Sequence, residues 1–166
     1  DSFGAKLSYA ANGITASLTT FSVSNGAASE TKVAPMSLAG SYDFGMGTVS
    51  AQYVKAKTSV GGVDANTSTV INVGAKFAVS EGNTAKVQFS KASEKTSSAK
   101  DGATLLAVGL DHSLSKATGV YVVYAKATND TNGTYTMDGW GHQSRMGGIV
   151  AGEDPSGFGV GLTHNF

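Results

Sequence analysis

Gly157-Phe158-Gly159-Val160-Gly161-Leu162-Thr163-His164-Asn165-Phe166 is the stretch that decides how this chain folds. Large side chains fall at 158, 160, 162, 164 and 166, and Gly, Thr and Asn fill the positions between them. That is a period-two strand with one bulky face and one small or polar face. A frayed soluble terminus has little use for an aromatic last residue. A strand that closes a barrel in a membrane has a use for every residue here.

Composition agrees with strands. The 166 residues are enough for one domain. With 22 Gly and 2 Pro among abundant Ser, Thr and Val, strands and turns are favoured over helices. Twelve basic residues balance twelve acidic ones, so net charge argues neither for nucleic acid nor for a polyanionic partner. Only 14% of the chain is charged, below the usual quarter or so. The absence of Cys excludes disulfides, thiolate metal sites and a cysteine nucleophile. No apolar run approaches the ~20 residues of a spanning helix. No signal peptide is visible and Asp1 is not an initiator Met, so the chain is expected to be processed or truncated at its start.

Alternation predicts nine strands, over 3–10, 14–24, 36–44, 48–58, 69–80, 84–95, 104–114 and 120–128, and at the terminal stretch. The connections alternate in length. Asn12-Gly13, Gly45-Met46-Gly47, Glu81-Gly82-Asn83 and Ser115-Lys116-Ala117-Thr118 are short, and Asn-Gly is a strong hairpin signal. The connections 25–34, 61–68, 96–103 and 129–156 are long and polar. Short turns on one rim and long loops on the other describe an outer-membrane barrel, with turns in the periplasm and loops outside.

The strand faces divide in the same sense. Ile71, Val73, Ala75, Phe77 and Val79 share one face, with Asn72, Gly74 and Lys76 opposite. Modest apolar side chains, with Phe3, Phe44, Phe77, Phe158 and Phe166 near strand ends, fit a lipid-facing band and its girdles. The polar faces carry Lys6, Asp43, Gln52, Asn72, Lys76, Lys86, Gln88 and Asp111. Burying that set in a small dry core would cost several kcal/mol or more per unpaired charge. A water-filled lumen removes the difficulty, so these eight are the candidate pore-lining residues.

The terminal Phe158-Gly159-Val160-Gly161-Leu162-Thr163-His164-Asn165-Phe166 resembles the closing strand of the trimeric porins of beta-proteobacteria, which end in a Gly-hydrophobic-Gly-Leu-x-His-x-Phe pattern. Leu114-Ser115-Lys116-Ala117-Thr118-Gly119-Val120-Tyr121 is similar to the family's Leu-Ser-Lys-Arg-Thr-x-Leu-Tyr turn, with Ala117 in place of Arg. Gly40-Ser41-Tyr42-Asp43-Phe44-Gly45 and Phe3-Gly4-Ala5-Lys6-Leu7-Ser8-Tyr9 add weaker similarity. The resemblance implies an all-β, antiparallel transmembrane barrel in the cell outer membrane. It implies a homotrimer in a bilayer containing lipopolysaccharide. Phe158, Val160, Leu162, His164 and Phe166 would be the signal read by the barrel-assembly machinery. Such porins have sixteen strands and about twice this length. Residues 1–166 would then be the carboxyl-terminal portion of a single barrel domain, strands 8 to 16. The constriction loop and the first seven strands would lie in a missing amino-terminal half or a complementary chain. The alternative is a complete eight-stranded barrel, if one stretch has been over-split.

The implied function is a general-diffusion porin passing small hydrophilic solutes or ions, with an anion preference from Lys6, Lys76 and Lys86 that Asp43 and Asp111 partly cancel. The competing function is a structural or adhesive barrel, or a surface-array subunit, whose outer loops bind partners. No catalytic set, cofactor or metal site is expected. Asp111, His112 and Ser113 are neighbours on one strand and alternate between faces, which leaves an outer-membrane lipase as a minor alternative. Asp64, Asn66, Asp130 and Asn132 lack the spacing of a calcium loop. In the longest connection Trp140, His142, Arg145, Asp138, Glu153 and Asp154 are candidates for ligand contact or for ion pairs that hold the loop down.

Overall fold

The computed structural model describes residues 2–26, 30–96, 98–137 and 149–166. Among them the chain forms nine strands and no helix: β1 (Ser2–Ala11), β2 (Ile14–Ser24), β3 (Thr31–Asp43), β4 (Gly47–Val60), β5 (Val63–Ser80), β6 (Asn83–Ala92), β7 (Ala103–Ser113), β8 (Thr118–Asn129) and β9 (Ser156–His164). They make one sheet in sequence order, and every neighbouring pair is antiparallel. The sheet is an open, curved wall in which β1 and β9 are the edges. Among the described residues only Ala92, Ala103 and Ala127, with Gly102 and Gly133, are buried, because a wall one sheet thick has no second layer to bury against.

The short turns form as the residues dictate. Asn12 and Gly13 both take positive φ, at 51° and 76°, as a two-residue hairpin turn requires. The Asp43 carboxylate accepts from the Gly45 amide at 2.8 Å and shapes the β3–β4 turn.

The expected long connection 61–68 is absent. Gly61 and Gly62 take φ of 58° and 81° and turn the chain in two residues, and β5 starts at Val63. Ala56, Lys57 and Thr58 pair with Ser68, Thr67 and Asn66, and a register shift beside Ser59 marks a bulge. Backbone pairing therefore carries polar residues that a period-two pattern alone assigns to a loop. β3 also begins earlier than expected and includes Pro35. The β2–β3 ladder skips from Thr20↔Met36 to Val23↔Val33, so the amide that Pro35 lacks falls where no rung is made on that side.

Candidate pore wall

Register fixes which side chains share a face, because directly opposed residues on antiparallel strands point the same way. Lys6 opposes Thr19, which opposes Ser37. Asp43 opposes Thr48, Thr48 opposes Lys76, and Lys76 opposes Lys86. Gln52 opposes Asn72, Gly74 opposes Gln88, and Thr84 opposes Asp111. With alternation along each strand, all eight polar residues singled out above stand on one face.

That face is the concave one. A groove of about 1130 Å³ runs along it, and Gln52, Asn72, Lys76, Lys86, Gln88 and Asp111 line it. Lys6 and Asp43 lie on the same face outside the groove. Small hydroxyl residues that sequence reasoning did not single out complete the lining, among them Thr15, Ser17, Ser41 and Ser50, with Tyr121. Their signal was present in the alternation, but short side chains carry little information about a face.

The polar side chains bond to one another along the wall. Gln52 Nε2 donates to Ser37 Oγ at 3.1 Å, and Asn72 Nδ2 donates to Gln52 Oε1 at 3.0 Å. Gln88 Nε2 donates to Ser90 Oγ at 3.2 Å. Lys86 forms an ion pair with Asp111. The glycines of β9 have a steric reason on this face. A Cβ at Gly161 would run into the Tyr121 ring, one at Gly159 would come 3.3 Å from Val123 Cγ1, and one at Gly157 would come 3.4 Å from Met137 Cε.

The opposite, convex face holds Leu7, Leu18, Leu38, Val49, Val73, Val87, Val108, Tyr124 and Val160 on successive strands, all at least 39% exposed. A continuous exposed apolar surface of this kind belongs in lipid. Phe158, Val160, Leu162 and His164 lie on it. Thr118 Oγ1 and His164 Nδ1 share a hydrogen bond of 2.8 Å, and the His164 and Phe166 rings meet edge to face at 4.8 Å.

Among the described residues, the β8–β9 connection is tied to the rim with the long connections. Asn129 Nδ2 donates to the carbonyls of Tyr135 at 2.9 Å and Glu153 at 2.7 Å, and its Oδ1 accepts from the Tyr135 amide at 2.9 Å. Asn132 Nδ2 donates to Ala99 O at 2.8 Å and ties this connection to the one between β6 and β7. Asp154 lies 3.8 Å from Lys126 and accepts from the Asn129 amide. Asp138, Trp140, His142 and Arg145 lie outside the described residues. Asp64 is engaged by Lys57 at 2.6 Å and Ser59 at 3.0 Å, and these bonds hold its carboxyl below the usual range. The Lys95 amide does the same for Asp101. Among the described residues no three His, Cys, Asp or Glu side chains gather as metal ligands. His112 turns away from Asp111 and Ser113 and bonds to Asn83 Oδ1 at 3.0 Å.

An antiparallel wall with an apolar convex face and a polar concave one defines an outer-membrane β-barrel protein. The chain belongs to the Gram-negative porin family, whose profile matches residues 1–132. The family and the fold are those of a channel rather than an enzyme. The anion-selective porin from Comamonas acidovorans is similar over 99% of this chain and 49% of its own, with a TM-score of 0.87 and 25% identity. In-vitro folded OmpT, an outer membrane protein of Vibrio cholerae, is similar over 96% of this chain and 53% of its own, with a TM-score of 0.71 and 13% identity. Its trimer form gives 0.70 and 14%, over 96% of this chain and 54% of its own. The chain thus spans about half the length of the solved structures it matches. Comparison with curated protein sequences gives no match.

Proposed function

We propose that the concave face is part of the wall of a water-filled pore for passive diffusion of small hydrophilic solutes, with a preference for anions. One observation carries this reading: every charged or amide side chain expected to line a lumen shares the concave face, and the middle band of the convex face is apolar. Lysines outnumber aspartates there by three to two, and Asp111 is already paired with Lys86. Lys76 has no ion-pair partner among the described residues. The likeness to an anion-selective porin supports the same preference. Residues 1–166 are in this reading the carboxyl-terminal portion of one barrel domain, strands 8 to 16, working as a homotrimer with the long connections outside. Phe158, Val160, Leu162, His164 and Phe166 then present the assembly signal on the lipid side.

The test is single-channel recording on the full-length chain that carries this sequence. Stepwise, ohmic conductance with a reversal potential favouring anions is the expected result. A silent bilayer would overturn the channel, and a cation-favouring potential would overturn the preference.

A further inference from the structure

The convex face carries a second pattern that the pore does not use. Tyr53-Val54-Lys55, Phe89-Ser90-Lys91 and Tyr124-Ala125-Lys126 repeat one arrangement on β4, β6 and β8. In each, an aromatic and a lysine two positions further on share the convex face, since Tyr53 opposes Ile71, Phe89 opposes Val73 and Tyr124 opposes Val108.

Register sets the three at one height. Lys55 opposes Thr69, whereas Lys91 opposes Ile71, two residues along β5. Lys91 opposes Thr104, whereas Lys126 opposes Leu106, two residues along β7. The series therefore steps one residue per strand. A step of about 3.3 Å along for every 4.8 Å across is a slope of about 35°, the tilt of strands in a membrane barrel. Tyr9, Tyr42 and Phe77, on β1, β3 and β5, make the same step near the short-turn rim: Tyr9 lies in the Ala16, Gly40, Ala51, Val73 row, Tyr42 in the Val49, Ala75 row, and Phe77 two residues further on. Two aromatic girdles thus bound the apolar band. Thr69, the Lys55 partner, stands eight positions from Phe77, about 26 Å along the strand or about 20 Å of height, which suits an apolar band of about 25 Å once a lysine stem is added.

Charge is one-sided at this boundary. Apart from Asp64, which Lys57 holds, the charged residues that strands place on the convex face are Lys32, Lys55, Lys57, Lys91 and Lys126, all toward the long-connection rim. Lys57 is committed to Asp64, and Lys126 lies 3.8 Å from Asp154. Lys55 and Lys91 have no ion-pair partner among the described residues. Ammonium groups raised just past an aromatic girdle meet the anionic layer of a leaflet and are attracted to it.

We propose that Lys55, Lys91 and Lys126 form a belt that binds the phosphates of the glycolipid headgroups of the outer leaflet, while Tyr53, Phe89 and Tyr124 seat against the acyl boundary. Successive lysine Cα positions are about 12 Å apart by this geometry, too far for one phosphate to bridge. Each lysine therefore meets a separate phosphate, and a lipid carrying two phosphates is the fitting ligand. The proposal rests on the outer-membrane placement and the outward direction of the long connections, not on the pore.

The experiment is a titration of the full-length, detergent-folded protein with bisphosphorylated lipid A and with its dephosphorylated form, read by native mass spectrometry. Lys55→Gln/Lys91→Gln/Lys126→Gln is compared with the triple Arg variant. Expected are a tenfold or greater loss of bisphosphorylated lipid binding in the Gln variant, retention in the Arg variant, and weak binding of dephosphorylated lipid to all. Equal binding of both lipids to the parent protein, or unchanged binding in the Gln variant, overturns the belt. If the Gln variant does not fold, loss of binding by the parent protein after lysine acetylation, against no loss, decides the same question. Conductance of the parent protein is measured alongside: a silent channel with lysine-dependent lipid binding would sink the pore and leave the belt standing.

Discussion

Lys76 and Lys86 face each other directly across β5 and β6, on the concave side of the wall. Like charges in opposed positions repel, so the pair persists by virtue of water and of Asp111, which holds Lys86. Replacing Lys76 by Glu supplies Lys86 with a second partner and changes the wall by two charges. For an ion passing about 8 Å away in water-like surroundings that is about 1 kcal/mol, a several-fold loss of anion preference. Asp111→Asn is expected to shift the reversal potential the other way. Unchanged potentials in both variants would remove these residues from the conducting path.

Asn129 is the staple of the β8–β9 connection, with three hydrogen bonds to backbone groups of Tyr135 and Glu153. Asn129→Ala is expected to release 130–137 from the rim and cost about 1–3 kcal/mol. Limited proteolysis of the folded protein should then cut this connection several times faster. Cleavage at the parent rate would show that other contacts suffice to hold it.

The Tyr121 ring occupies the space where Gly161 would carry a side chain. Gly161→Ala is expected to push the ring aside and lower stability by about 1–2 kcal/mol, the usual cost of overpacking. Tyr121→Ala in the same chain should recover much of that loss. Additive effects in urea titrations of the two variants would contradict the contact.

Asp64 is held in its charged form by Lys57 and Ser59, and its pKa is lowered. Because the folded pKa is the lower one, the contribution of these bonds is present above the ordinary carboxylate range and fades as pH falls through the folded pKa. Amide protection at 57–64, taken relative to the intrinsic exchange rate at each pH, is expected to fall on acidification below about pH 4, the ordinary carboxylate value, and to be low at every pH in Asp64→Asn. Equal exchange in both proteins at neutral pH would contradict this.

The division into two faces was legible in the sequence because strand alternation needs no knowledge of partners. The candidate lining followed from it, since Gln52, Asn72 and Lys76 declare a polar side wherever their strands pair. The top of the β4–β5 hairpin was not legible. Asp64, Asn66 and Thr67 have the composition of a loop, and only their pairing with residues 57–59 makes them strand. The start of β3 was hidden by Pro35, which is tolerated only because the ladder skips a rung beside it. The level of Lys55, Lys91 and Lys126 was hidden too, since three Lys at unequal spacings align only after two registers are known.

The long β4–β5 hairpin gives the mouth of the wall an uneven height. β5 has 18 residues, about 59 Å of strand and about 45 Å of height, well beyond an apolar band of about 25 Å. On that side the wall stands far above the lipid and ends in the bare Gly61-Gly62 turn. On the other side β6 ends at Ala92 and β7 begins at Ala103, and Asp130 and Asn132 bond to the segment between them. In the proposed pore this stretch of the rim is therefore cut on a slant, high at Gly61-Gly62 and low between β6 and β7. In the proposed orientation a bulky body approaching this stretch of the rim meets Gly61-Gly62 first.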